Sequence, residues 1–501
     1  MVAAVQVTQA IVIAAAFALI TVIGLYAGRW RRGDLNDLDE WALGGRQFGG
    51  VLTWFLQGGS VYTTYSFIAV PALVFGGGAI GFFALPYLII TYLVAFVVVP
   101  RLWQVAHDQG HVTPADFVRS RFRSRWLSAA VTVTGIVATL PYIALQVYGI
   151  EICMAQIGLP VDVSLWIAFG LLALITYVSG LRSATLIAIV KDVFIWVTVI
   201  VAVVYIPIHL GGYAHAFSKV PPSHLTLPGN LYADYVTLAI GSGLALFLYP
   251  HTLTGALSSK NRFVVQRNSI FLPIYTVMLG LLAILGYMAV AAGIKPDPHF
   301  GNNIAIPALF DQVFPPWFAG FALASIAIGA LVPAAMMAIA SANLFARNIW
   351  TELKPNASPR EQTQVSKVAS LFVKFGAVAF VVLIPTTFVI NFQLAAGVWI
   401  LQTLPAVFGG LLWSGLPSRA ALAGWAAGTA YGTYLLVRVG FTTSSHAFGI
   451  AGHNTQVFIG IPALGLNLAV ALGVTLALRL GRQEDAVRAT ADDAPEWIAG
   501  S

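Results

Sequence analysis

Gln57, Gly58, Gly59 and Ser60 interrupt an otherwise apolar stretch of membrane length, residues 49 to 78, and Tyr62, Thr63, Thr64, Tyr65 and Ser66 follow them directly. Polar, helix-weakening residues persist at membrane depth only where they line a protein cavity or a water-filled path. Their chemistry is that of binding, since an unwound transmembrane helix exposes carbonyls and half-helix ends that hold ions and anionic groups. A helix kinked for close packing is the other reading of the same residues.

Further polar residues fall in other apolar runs. Lys191 and Asp192 are adjacent early in one of them, and an ionisable group at that depth is costly and therefore a functional candidate. Either Lys191 occupies the place of a coupling cation, or Asp192 relays a proton near it. Alternatively Lys191 snorkels to the cytosol and Asp192 pairs with a basic loop residue. His251, next to Tyr249 and Pro250, could bind a carboxylate, carry a proton near neutral pH, or be a hydrogen-bonded packing histidine. One histidine in a core span argues against a bis-histidine haem or a metal site. Tyr142 and Gln146, one helical turn apart, add hydroxyl and amide groups. A small carboxylate needs only a few such donors and the amino end of a half-helix. Lys374 and Glu151 are expected to reach headgroup level by snorkelling.

The elements that must position these groups are transmembrane helices. Of 501 residues 58% are hydrophobic and 9% charged, with a mean hydropathy of +0.84, which excludes a soluble domain. The alternation of an outer-membrane barrel is absent. About thirteen apolar runs are long enough to span a bilayer, so the expectation is an all-α polytopic protein of the cell (inner, cytoplasmic) membrane. The net charge of +7 resides in alternate connections, among them Arg29, Arg31, Arg32 and Arg46, Arg119 to Arg125, Arg182, Lys260 to Arg267, and Arg347 to Lys367. Basic residues accumulate on the cytoplasmic side, which places the amino terminus outside and the carboxyl terminus inside. This distribution points to a lipid bilayer and not to nucleic acid. No obligate protein partner is expected. The lone cysteine, Cys153, excludes an intramolecular disulfide framework.

A second broken run lies five spans after the first, interrupted at Gly241, Ser242 and Gly243 and again at Tyr249, Pro250 and His251. Interrupted helices at corresponding positions of two halves point to a transporter site, and an odd offset makes the halves inverted.

The motif LDEWALGGRQFGG (Leu38 to Gly50), the broken run with Ser66 and glycines 76 to 78 and 81, VTPADFVRSRF (Val112 to Phe122), Asp192, AIPALFDQVFPPWFAGF (Ala305 to Phe321) and the segment Asn343 to Trp350 together resemble the sodium:solute symporter family. Within it, GGSVYTTYSFIAVPALVFGGGAIGFFALPY and VPAAMMAIASANLFARNI look like the monocarboxylate permease branch. The resemblance implies a peripheral first helix (1–27), a cytoplasmic loop (28–48), two inverted five-helix repeats (49–210 and 234–414) around an outer loop (211–233), two peripheral helices (415–480) and a disordered tail (481–501). It implies import of lactate, pyruvate, acetate or propionate by cation-coupled symport with alternating access, and no enzymatic activity or cofactor. Substrate is expected at Gln57, Gly58, Gly59, Ser60, Tyr62, Thr63, Tyr65, Ser66, Tyr142, Gln146, Tyr249 and His251, and the coupling ion at Tyr62, Tyr65, Lys191 and Asp192. In sodium-coupled members two adjacent hydroxyls complete the ion site; here that pair maps to Val332 and Pro333. A hard cation needs several oxygen ligands, so a proton is favoured over sodium. The alternatives are sodium-coupled symport of another solute, such as an amino acid or sugar, and a transporter-like membrane sensor.

Overall fold

Sustained apolar runs with few breakers fold as helices that satisfy their own backbone groups, as a lipid environment demands. The computed structural model describes residues 6–27, 38–384, 388–450 and 453–492. Arg29, Arg31 and Arg32, the side chain of Arg182, and the tail from residue 493 lie outside what is described.

In chain order the principal helices are α1 (Val7–Ala27), α2 (Gly50–Gly59), α3 (Val70–Gly77), α4 (Ala84–Val97), α5 (Val99–Asp108), α6 (Pro114–Phe122), α7 (Arg125–Gln156), α8 (Val161–His209), α9 (Tyr232–Ala245), α10 (Pro250–Leu257), α11 (Arg262–Phe271), α12 (Pro273–Ala291), α13 (Ala305–Val313), α14 (Pro316–Phe345), α15 (Pro359–Leu383), α16 (Ile390–Ile400), α17 (Ser418–Arg438) and α18 (Gly460–Asp492). An antiparallel hairpin, β1 (Ser445–Ile450) and β2 (His453–Phe458), precedes α18.

Ten helical stretches among the described residues are long and apolar enough to cross a membrane. A single helix runs from Val161 to His209, so two runs that look separate in sequence are joined here, whereas Gly78, with φ of 72° and ψ of −138°, breaks the helix between α3 and α4. The last helix, α18, continues to Asp492, beyond the point where the sequence suggests a disordered end at residue 481.

α14 forms the centre. Its membrane-crossing stretch is wholly buried and rich in Ala, Gly and Ser, which let helix backbones approach closely, and it packs against α7, α8, α1 and α15. α9 lies along α4, and α12 along α3.

Two breaks interrupt this frame. α2 ends at Gly59, and regular helix resumes through a π turn at Tyr65–Ala69. α9 ends at Ala245, and the chain passes through Leu246–Leu248 and an extended Tyr249 before Pro250 opens α10. Proline has no N–H to continue the preceding helix but suits the first turn of the next. Gly241 and Gly243 are not part of this second break, contrary to the sequence expectation. They lie within α9 and admit close neighbours: a Cβ on Gly241 would come 2.6 Å from the Phe458 ring, and one on Gly243 equally near Ile90.

Candidate functional site

Every break in a buried helix leaves carbonyls and amides that must find other partners. At the first break the partners can be followed atom by atom. The Ser60 hydroxyl donates to the Gln57 carbonyl (2.6 Å) and the Ser66 hydroxyl to the Val61 carbonyl. The Tyr65 N–H donates to Thr63 Oγ1 (3.0 Å), and the Thr64 N–H donates to Gln146 Oε1 (3.1 Å). Ser60, Thr63 and Ser66, expected at the substrate, therefore bond to the broken backbone itself.

The remaining carbonyls receive a cation. Lys191 Nζ donates to the Gly59 carbonyl at 2.6 Å and to the Tyr62 carbonyl at 3.0 Å, and lies 3.1 Å from Asp192 Oδ1. An ammonium has three donors, and three oxygens surround this one. The second Asp192 oxygen accepts from the Tyr275 hydroxyl at 2.8 Å. Lys191 and Asp192 are both fully buried, which is tolerable in a low dielectric only when the charges are paired and hydrogen-bonded. Lys191 thus does not reach the cytosol, and Asp192 pairs with its neighbour and not with a loop residue. The Tyr65 carbonyl, expected at the ion, instead accepts from the Val70 N–H within the π turn.

Glycine is required on both sides of this cluster. A Cβ on Gly59 would be 3.1 Å from Nζ, and one on Gly58 would fall 2.1 Å from the Tyr275 ring. α14 passes the cluster at Gly329, where a Cβ would be 3.9 Å from the Tyr62 carbonyl oxygen. Val332 and Pro333 follow one turn later on the same face, both buried, and neither has a side-chain oxygen. At this position the Lys191 ammonium stands against the two carbonyls, and α14 adds no side-chain oxygen at Val332 or Pro333.

Around the two breaks several buried polar atoms have no hydrogen-bond partner among the described residues: both amide atoms of Gln57, the hydroxyls of Tyr62, Thr64 and Tyr65, Gln146 Nε2 and both ring nitrogens of His251. Such groups are expensive to leave unpaired. Tyr142 and Gln146, one turn apart on α7, connect the two breaks. Gln146 holds Thr64 of the first, and the Tyr142 ring meets Tyr249 and His251 of the second edge-on, with centroids 5.2 and 5.3 Å away. The Tyr249 hydroxyl donates to the Gln393 carbonyl. His251 is therefore not a hydrogen-bonded packing residue.

Three contributors escaped the sequence reading: Tyr275, Gln393, whose Oε1 is also unpartnered, and Thr252, whose hydroxyl is unpartnered. Tyr275 and Gln393 lie in apolar runs whose local pattern does not mark them, whereas Thr252 directly follows His251 at the second break, and that position was the available signal. Lys374 and Glu151 depart from expectation too. Neither reaches the surface: Lys374 is 0% and Glu151 2% exposed, and Lys374 Nζ has no hydrogen-bond partner. Among the described residues no cluster of three or more His, Cys, Asp or Glu could hold a metal ion.

On the arginine-rich face, α6 opens with a capping box in which Thr113 accepts from the Asp116 N–H while Asp116 accepts from the Thr113 N–H. Asn348 ties the end of α14 to this cap, donating to Asp116 Oδ1 (2.7 Å) and accepting from the Thr113 hydroxyl (2.8 Å). Arg46, just before α2, donates to the His111 carbonyl at 2.7 Å.

Comparison with known proteins supports the same reading. The model of the sodium:solute symporter family matches residues 41–428. A monocarboxylate transport permease protein of Rhizobium johnstonii is similar at 48% identity over 471 residues, covering 92% of this chain and 95% of that protein. The symporter YodF of Bacillus subtilis is 35% identical over 457 residues, with coverage of 88% and 90%. The structure of a Na+-coupled sialic acid symporter in a substrate-bound outward-open state has the same fold, with a TM-score of 0.74 at 14% identity, covering 94% of this chain and 98% of that one.

Proposed function

The chain belongs to the sodium:solute symporter family, and from that premise we propose that it imports small monocarboxylates such as lactate, pyruvate, acetate or propionate in symport with a proton. It is a membrane transporter and not an enzyme. One observation carries the choice of ion: the Lys191 ammonium already bonds to the Gly59 and Tyr62 carbonyls of the broken helix. An ammonium can release and regain a proton, which lets the same site alternate between charged and neutral forms as a bound ion would come and go. Asp192 and Tyr275 hold it in place.

For the substrate, the support is the permease relative and the group of unpartnered donors between the two breaks. Gln57, Gln146, Tyr62, Tyr65 and His251 are the residues we assign to the carboxylate, with Tyr142 and Tyr249 as aromatic walls. Moving a carboxylate inward with one proton carries no net charge against the membrane potential, avoiding about 2.3 kcal/mol per charge per 100 mV. Alternating access would proceed around the two breaks, within the two inverted repeats, with the amino terminus outside and the carboxyl terminus in the cytoplasm.

The family as a whole favours a second reading, coupling to sodium, and relatives at 25% identity are named sodium/proline symporters. Uptake of labelled lactate, pyruvate and acetate into proteoliposomes separates the two. Accumulation driven by an imposed pH gradient without sodium is expected. Accumulation that requires sodium and ignores the pH gradient would replace the proton with sodium, and failure of every acid under either gradient would remove the substrate assignment.

A further inference from the structure

A groove of about 830 Å³ runs between α2 and α11 on the arginine-rich face. Its walls include Val51, Ile270 and Ile274, which are 69%, 61% and 45% exposed. In a chain whose surroundings are lipid, such side chains face acyl chains. The unpartnered polar atoms of the groove are donors, while the Asn261 oxygen already accepts from the Val264 N–H. Arg267 contributes a guanidinium, and Asn268 Nδ2 and Trp54 Nε1 are buried N–H donors without a partner. Asn268 is only 4% exposed. Among the described residues no acidic side chain lines the groove. On the other side of α11 a second groove brings together Arg101, Arg262 and Gln266, none of which carries a buried unpartnered donor, so it lacks what distinguishes the first.

Unpartnered donors beside an arginine, at the end of an apolar slot, match a ligand that has acceptor oxygens, negative charge and a hydrocarbon tail. Basic pockets between helices at the cytoplasmic surface bind anionic headgroups in this way. We propose that the α2–α11 groove is a binding site for an anionic phospholipid. Its phosphate lies on Arg267, its ester or phosphate oxygens accept from Asn268 and Trp54, and an acyl chain runs along Val51, Ile270 and Ile274.

The position of Trp54 gives the lipid a consequence. Its ring is 4.8 Å from that of Tyr275, and the Tyr275 hydroxyl holds Asp192. An occupied groove fixes the ring against which Tyr275 rests, so the lipid promotes transport. This consequence, unlike the site itself, rests on the reading of Lys191 and Asp192 as the coupling pair.

The test uses the purified full-length protein and native mass spectrometry with phosphatidylglycerol or phosphatidylethanolamine. The wild type is expected to retain phosphatidylglycerol in preference. Arg267→Gln with Asn268→Leu should weaken that retention about fivefold or more, the effect of one arginine near a charged surface, and Arg262→Gln, in the neighbouring groove, should not. Equal retention of both lipids by the wild type, or equal retention by wild type and double variant, overturns the site. Melting temperature in detergent without lipid checks that the double variant is folded; if it is not, Asn268→Leu alone and the difference between wild type and Trp54→Phe in fluorescence quenching by bromine-labelled phosphatidylglycerol take its place. Phosphatidylglycerol in the proteoliposome should raise acid uptake by the wild type and not by the double variant. Binding without that difference overturns the transport consequence, and absence of all acid uptake overturns the substrate reading while the retention result stands.

Discussion

Lys191 Nζ bonds to the carbonyl oxygen of Gly59 at 2.6 Å, across 132 positions of chain. Removing this ammonium leaves Asp192 buried without its counter-charge and two carbonyls without a donor. Lys191→Met is expected to cost about 3–5 kcal/mol of stability, as breaking a buried pair does, and to abolish pH-driven uptake. Lys191→Met combined with Asp192→Asn should recover most of the melting temperature in detergent and none of the accumulation. Recovery of both would show the pair to be structural only.

Gly58 faces the Tyr275 ring with no space for a methyl group. Gly58→Ala should destabilise the protein by about 1–3 kcal/mol through overpacking and displace the hydroxyl from Asp192. In the double variant with Tyr275→Ala, the alanine at position 58 should cost less than it does alone. Melting temperatures of the four proteins in the cycle decide this.

His251 has no internal hydrogen bond to lose. His251→Ala should therefore lower stability only through its lost ring contacts with Tyr142 and Tyr249 and the cavity left behind, about 2–5 kcal/mol, while raising the KM for lactate roughly 10- to 100-fold, the worth of a hydrogen bond to a charged group at about 1.5–3 kcal/mol. An unchanged KM would remove His251 from the substrate site.

Gln146 differs because its Oε1 accepts from the Thr64 N–H. Gln146→Leu should lower stability by about 1–3 kcal/mol, the cost of leaving a buried amide unsatisfied, as well as weakening uptake. A loss of uptake without destabilisation would mean that the Thr64 amide finds another acceptor.

His111 lies between the membrane-spanning stretches, and burial, the largest cause, holds its ring below the ordinary value of 6.5; Asp116 opposes this and Arg46 and Arg347 reinforce it. The folded protein thus keeps His111 neutral where the unfolded chain already binds a proton. Its contribution to stability is complete above pH 6.5 and is lost as the pH falls below that value towards the depressed folded value. His111→Gln should flatten the fall in melting temperature on acidification over this range, and an unchanged slope would assign it to other groups.

The apolar runs and the basic connections were legible in the chain as written because a bilayer imposes length and charge rules on each segment separately. So was the first break, since Gln57 to Ser60 weaken the helix where they stand. The second was legible only in part: Pro250 ends one helix by its own chemistry, whereas Gly241 and Gly243 lie inside a continuous helix and are glycine because Phe458 and Ile90 occupy the space of a side chain. Residue type made Lys191 a candidate and left open whether it reached the cytosol or the break. Tertiary packing decided that, bringing α8 against α2 so that the ammonium meets Gly59 and Tyr62, and it alone supplied Tyr275 and Gln393. Local sequence governs which backbone groups a broken helix leaves unpaired; which distant side chain satisfies them depends on how the helices pack.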